Sequence, residues 1–226
     1  WLKGSKGRLR SFPPGTTSGS MRSRDPLGAA LKRSGQRVLL LDGGLATHVE
    51  TLGADIDHSL WSARCLKEDP AMLRQAHRDY YAAGARVGIT ASYQAHFGGF
   101  TELGVDHDAA LSLMRLSVEL ARDAALEAEV ATTEEAVGEK AEDGGREPVS
   151  KRARNADKVT VEERGPEEAT HGLVAGSVGP YGASLHDGSE YTGVYPASMG
   201  EDELLEWHRP RARALVEAGC DVLACE

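Results

Sequence analysis

Short apolar runs alternate with longer stretches in which apolar positions recur every three or four residues. Residues 38–41 (VLLL) end at Asp42-Gly43-Gly44, which reads as a buried strand entering a tight turn. A helix over residues 45–52 follows and stops at Gly53 in the C′ position. Asp69-Pro70 then supplies an N-cap and a proline at N1. Leu73, Ala76, Tyr80 and Ala83 put apolar groups on one face of that helix, and Gly84 ends it. Residues 86–92 (RVGITAS) form the next strand, and Asp106 or Asp108 caps a longer helix carrying Leu111, Met114, Val118 and Leu120. A third strand covers residues 172–177 (GLVAGS), before a Gly/Ser/Tyr-rich loop to Met199. Glu201 opens another helix, and residues 220–225 (CDVLAC) make a fourth strand.

Apolar strands alternating with helices imply βα units and a parallel sheet. A weak internal echo agrees: AAGARV at 82–87 and EAGCDV at 217–222 are both a helix end, a glycine and a strand start. Four strands are visible. An open doubly wound sheet needs little more, whereas a closed (β/α)8 barrel needs eight strands and about 250 residues. Periodicity alone does not choose between them.

Two stretches break this grammar. Residues 1–24 hold six basic residues and no acid, and the first residue is Trp1 rather than Met. Residues 1–35 therefore read as a disordered leader, either upstream sequence with no fold or the tail of an Arg- and Ser-rich organelle transit peptide. Residues 127–170 carry thirteen acids, seven bases and no aromatic residue. Such a segment cannot bury enough apolar area to offset its chain entropy, so it reads as a solvated, disordered insertion. Its basic run SKRAR (150–154) reads as a solvated face rather than an import signal. The chain also stops directly after a strand, at Glu226, so the expectation is a piece of a longer product.

Charge narrows the function classes. A formal net charge of −9 with three Trp and three Phe disfavours nucleic-acid binding, which wants basic surface and stacking aromatics. No apolar run approaches the roughly 18 residues of a membrane span. Three cysteines (Cys65, Cys220, Cys225) with no CxxC spacing argue against a disulfide scaffold and point to a reducing compartment.

Parallel α/β proteins build their sites at the strand exits. Asp42, then Ser92-Tyr93-Gln94, then Ser177, then Glu226 occupy those exits. Two carboxylates without basic neighbours suit a ligand ammonium group through charge-assisted hydrogen bonds. An Asp before Gly-Gly is equally a turn former that satisfies its own backbone, and the pattern leaves both readings open. GSVGPYG at 176–182 fits neither phosphate-loop motif, and Pro180 removes a donor such a cradle would use. No GxSxG elbow occurs, and the eight histidines show no HxH or HExxH spacing.

Four ordered blocks carry a resemblance: LDGGLATHVETLGADI, DHSLWSARCLKEDPAMLRQAHRDYYAAGARVGITASYQA, GSVGPYGASLHDGSEYTGVY and HRPRARALVEAGCDVLACE. Together they closely resemble the homocysteine S-methyltransferase family, most densely the branch that takes its methyl group from S-methylmethionine or S-adenosylmethionine. The match covers about residues 36–126 and 171–226. The resemblance implies a (β/α)8 TIM barrel, cut here after about four βα units, with residues 36–226 as its N-terminal half. It implies zinc-dependent methyl transfer to homocysteine, giving methionine. It assigns Asp42 and Glu226 to the homocysteine amino group and Gly43 and Gly44 to close backbone approach. Trp61, Ser92, Gln94 and the SVGPYG loop are assigned to the same mouth.

The family binds zinc through three cysteines, one after strand six and a pair near strand eight, which makes the substrate thiol a nucleophile. Those cysteines are expected beyond Glu226, so this chain is expected to hold no metal ligand, no catalytic residue and no activity by itself. The implied partners are homocysteine and a sulfonium donor, in the cytoplasm, or in an organelle if residues 1–24 belong to a transit peptide. Two alternatives stand: a relative using betaine or methyl-folate, against which GSEYTGVY speaks, and a non-catalytic truncated paralogue with an interaction segment at 127–170.

Overall fold

The computed structural model describes residues 25–35, 37–142 (backbone alone for 132–142) and 172–226. The elements run α1 (Pro26–Ser34), α2 (Leu45–Thr51), a 3-10 turn (Trp61–Arg64), α3 (Cys65–Glu68), α4 (Pro70–Ala82), β1 (Val87–Ile89), α5 (Phe97–Glu102) and α6 (His107–Glu142). Then come β2 (Leu173–Val178), a second 3-10 turn (Tyr181–Ser184), α7 (Ser189–Thr192), α8 (Glu201–Glu217) and β3 (Val222–Cys225).

Local chemistry accounts for most boundaries. The Asp69 carboxylate accepts from the Met72 N–H at 3.1 Å and Pro70 follows it, so α4 starts where its first donor would be an orphan. Asp106, rather than Asp108, caps α6 by accepting from the Ala109 N–H at 2.8 Å. Gly84 (φ +103°) ends the turn after α4 in a conformation that a side chain would strain. The buried face of α4 is Leu73, Ala76, His77 and Tyr81, rotated from the expected stripe. Tyr80 is half-buried and Ala83 exposed, because the Tyr81 hydroxyl reaches into the sheet and donates to the Leu173 carbonyl at 2.9 Å.

β1, β2 and β3 are parallel and adjacent in chain order, with Val87 opposite Leu173 and Ser177 opposite Ala224. The expected first strand is corrected to a single parallel bridge, Leu41 to Val87. Val38, Leu40 and Leu41 are 72%, 59% and 55% exposed, since no described element covers them. The alternation of β2 divides the core. Val174 and Val178 pack with Val118, Ala121 and Leu215 of α6 and α8. Leu173 and Ala175 face the other way with Val87, Ile89, Val222 and Ala224, where Ala30 of α1 joins them.

Two further expectations differ from the structure. α1 lies inside the stretch read as leader, built by an Asp25 cap, Pro26 at its first turn and Gly35 in the left-handed region. α6 runs on to Glu142, sixteen residues into the segment read as disordered, because its Ala- and Glu-rich sequence has high helix propensity and meets no proline. The rest of both segments, 1–24 and 143–171, lies outside the described residues.

At the N-terminal end of the sheet one ion pair joins three elements. Arg122 on α6 donates to Asp221 at 2.5 Å and to the Gly219 carbonyl at 3.2 Å, while Asp221 also accepts from the Val174 N–H at 2.8 Å. Asp221→Ala leaves a half-buried guanidinium and a strand N–H without their acceptor. The expected loss is about 2–3 kcal/mol of unfolding free energy in urea titrations, with Asp221→Asn losing less. A loss below about 0.5 kcal/mol contradicts this account of the strand ends.

Candidate functional site

The C-terminal ends of the parallel strands leave backbone groups without ladder partners, and polar side chains take them up. On one edge the Asp42 N–H donates to the Val87 carbonyl at 3.0 Å, and Asp42 Oδ2 accepts from the Ile89 N–H at 2.7 Å. The other carboxyl oxygen, Oδ1, is buried with no hydrogen-bond partner among the described residues. Burial raises the Asp42 carboxyl from its ordinary 3.8 to about 6, against the lowering effect of the Ile89 N–H. A side chain at Gly43 would stand 3.0 Å from the Tyr80 ring, so the close approach at this glycine is to Tyr80, whose hydroxyl donates to the Gly44 carbonyl at 3.2 Å. Gly44 serves as the residue before α2.

In the middle of the rim, hydroxyls join β1 to β2. Thr90 and Ser92 share a hydrogen bond of 2.7 Å, Ser92 donates to the Ser177 carbonyl at 2.7 Å, and the Ser177 N–H donates to Thr90 Oγ1 at 2.9 Å. Ser92 is therefore committed to the frame. The unpaired hydroxyl is that of Ser177, 1% exposed and without a partner among the described residues. Gln94 is half-buried in the loop after β1.

On the far edge the Glu226 N–H lies 3.4 Å from the Val178 carbonyl and its side chain is exposed. The Tyr93 phenol is raised by burial first and then by the negative charges of Glu226 and Glu190, so these three groups share one neighbourhood. Glu190 Oε2 is buried and unpartnered among the described residues. A side chain at Gly182 would meet the Glu190 N–H at 2.4 Å, so the SVGPYG loop gives α7 its seat. Asp42 and Glu226 stand on opposite edges of the sheet, three strand spacings or roughly 14 Å apart along the row.

Trp61 is elsewhere. It is 44% exposed and lines a cleft of about 560 Å³ with Glu50, Asp55, Asp57, His58 and His186, none of them a strand-exit residue. Among the described residues no three His, Cys, Asp or Glu side chains are grouped to hold a metal ion. Cys65 is buried in α3 and Cys225 exposed on β3. The residues present do not fit the zinc set that the resemblance implies. Among the described residues, too, no helix is long and apolar enough to cross a membrane.

The sequence reading missed Glu190 and Arg211. Arg211 is 2% exposed on α8 and donates to carbonyls of the loops after both β1 and β2. A signal existed, because Trp207, Arg211, Ala214, Leu215 and Ala218 fall at helical spacing on one face.

The homocysteine S-methyltransferase family profile matches residues 39–226. The homocysteine S-methyltransferase of Escherichia coli is 43% identical over 206 residues, covering 91% of this chain and 54% of that protein. Homocysteine S-methyltransferase YbgG of Bacillus subtilis is 41% identical over 189 residues, covering 84% and 50%. The crystal structure of the metallated E. coli homocysteine methyltransferase MmuM matches with a TM-score of 0.62 at 41% identity, covering 87% of this chain and 57% of that one. The chain spans about half the length of the curated relatives it matches.

The raised Asp42 carboxyl has a measurable consequence. An acid that holds its proton more tightly when folded loses stability as pH rises from about 4 to about 6, and the loss is complete above that. Asp42→Asn keeps an acceptor for the Ile89 N–H and removes this loss. The variant is expected to gain on the parent between pH 4 and 6 and to stay about 1–2 kcal/mol ahead at pH 7 in the absence of ligand, allowing for partial solvent screening. Urea midpoints across that range check it; an Asn variant weaker than the parent at pH 7 would show that the carboxylate is paired rather than held open.

Proposed function

The chain belongs to the homocysteine S-methyltransferase family, and on that premise we propose that it supplies the homocysteine-binding half of an enzyme that methylates homocysteine to methionine. S-methylmethionine or S-adenosylmethionine is the donor. The observation that carries this reading is Asp42 Oδ1, buried beside the exit of β1 and unpartnered among the described residues, with Glu226 at the exit two strands beyond. An ammonium group docked against Asp42 offsets the desolvation that now raises its carboxyl, so ligand binding and ionisation reinforce each other.

In the proposed reaction the homocysteine sulfur attacks the sulfonium methyl group in line. A new S–CH3 bond forms, and the old one breaks with its electron pair passing to the donor sulfur. The acceptor thiol loses its proton, so both products are neutral thioethers at sulfur. The residues of this chain bind and orient the acceptor: Asp42 and Glu226 by charge, Ser177 by its unpaired hydroxyl, and Gln94 from the adjoining loop. Orientation of this kind contributes much of the rate when two molecules react. The implied zinc finds no ligand set among the described residues, so its ligands are proposed to lie outside them.

The sheet is proposed to be half of a (β/α)8 barrel. Its strands follow chain order, without the reversal of a doubly wound sheet. Apolar residues are exposed at both edges, Val38, Leu40 and Leu41 on one and Leu223 of β3 on the other. Closure would cover these edges and curve the row so that Asp42 and Glu226 face a common mouth. Residues 1–24 and the acidic segment are proposed to lie outside this catalytic frame, in a cytoplasmic enzyme.

Methionine formation by the full-length protein tests the reading, with homocysteine and, in separate reactions, S-methylmethionine, S-adenosylmethionine, betaine or methyl-folate. Turnover is expected with a sulfonium donor alone. Asp42→Ala and Glu226→Ala are each expected to raise KM for homocysteine about 10- to 100-fold, the size of one lost charge-assisted hydrogen bond. Unchanged homocysteine affinity in both variants overturns the proposed site, and no turnover with any donor favours a non-catalytic paralogue.

A further inference from the structure

We propose that Arg211 is a positioning residue of the homocysteine site: from α8 its guanidinium ties the loop after β1 to the loop after β2 and so fixes where Tyr93, Gln94 and Ser177 stand in the mouth. The inference rests on the function proposed above and names a part of its machinery that touches no substrate.

The geometry is that of a fork filled on every prong. Nε donates to the Ala95 carbonyl at 2.7 Å, Nη1 to the Gly179 carbonyl at 3.0 Å and Nη2 to the Tyr93 carbonyl at 2.9 Å, with the Ser92 carbonyl at 3.5 Å from Nη2. The His208 ring nitrogen lies 3.5 Å from Nη1, and the Trp207 ring carries the guanidinium 4.1 Å from its centroid. Three carbonyls come from the loop after β1 and one from the loop after β2. Among the described residues no carboxylate lies within ion-pairing distance of Arg211.

A buried cation without a counter-ion is costly, and an apolar side chain would fill the same space at less expense. What arginine alone offers here is a rigid planar set of donors that meets several carbonyls at once. The two loops need such a tie. Beyond the Ser177 amide no backbone hydrogen bond joins residues 92–96 to 178–182 among the described residues. The loops nevertheless touch: a side chain at Gly179 would stand 2.3 Å from the Tyr93 carbonyl oxygen, the same atom that Nη2 engages. Gly179 permits the contact, and Arg211 holds it closed where the ladder has run out.

The test uses the full-length protein and two variants that disturb the tie from opposite sides. Arg211→Lys keeps the charge but offers a point rather than a fork. Gly179→Ala leaves Arg211 untouched and pushes the loops apart. Both are expected to raise KM for homocysteine about tenfold or more while kcat stays within about threefold, read well below each variant's thermal midpoint. A lowered midpoint with unchanged KM in either variant would mark Arg211 as packing alone and overturn the proposal. If Arg211→Lys does not fold, Gly179→Ala carries the test with the buried cation in place. Failure of the parent protein to methylate homocysteine sinks the proposed function itself, whereas an active parent with indifferent variants sinks only the role of Arg211.

Discussion

A parallel ladder runs out at both ends, and the backbone groups left there must find side chains or water. That constraint organises this chain. At the N-terminal ends of the strands, Asp221 accepts the Val174 N–H and Arg122 braces it from α6. At the C-terminal ends, Asp42 accepts the Ile89 N–H, Thr90 accepts the Ser177 N–H, and Arg211 donates to the carbonyls of both following loops. The first set is fully paired and serves stability. The second set is where pairing stops short.

Among the described residues, four buried polar atoms at or beside the C-terminal rim have no partner: Asp42 Oδ1, His96 Nε2, Ser177 Oγ and Glu190 Oε2. Each costs stability in the unliganded chain, because a buried polar atom has given up water and received nothing. In the proposed function these rim atoms receive the ligand, at the end of the sheet opposite the Arg122–Asp221 pair.

How far this was legible beforehand depends on whether a feature is local. The Asp69-Pro70 start of α4 and the glycine stops needed only neighbouring residues and could be read directly. The positions of Asp42 beside the end of β1 and of Glu226 after β3 were legible because an apolar run ends at each. The first strand was misjudged because VLLL states that a strand wants burial but not that a covering element is present. Ser92 was credited to the mouth because hydroxyls at strand ends look alike in sequence, whereas its bond to the Ser177 carbonyl depends on a residue 85 positions away. Arg211 was hidden by composition: in HRPRAR it resembles a solvated basic run, and only its helical phase with Ala214 and Leu215 places it inside.

The charge pattern fits the proposed chemistry in a specific way. Both proposed substrates carry an ammonium end, and the proposed donor adds a sulfonium, so an acidic rim would gather cations that otherwise repel. At the reacting sulfurs the demand is reversed. An ionised sulfur and a sulfonium become two neutral thioethers, so charge is dispersed in the transition state and strong charges beside the sulfurs would favour the ground state. The useful place for carboxylates is therefore at the ammonium ends, away from the bond being made. Arg211, a buried cation near the mouth, obeys the same logic, since every prong of its fork is taken up by backbone carbonyls or the adjacent ring nitrogen, leaving it no donor to offer a substrate.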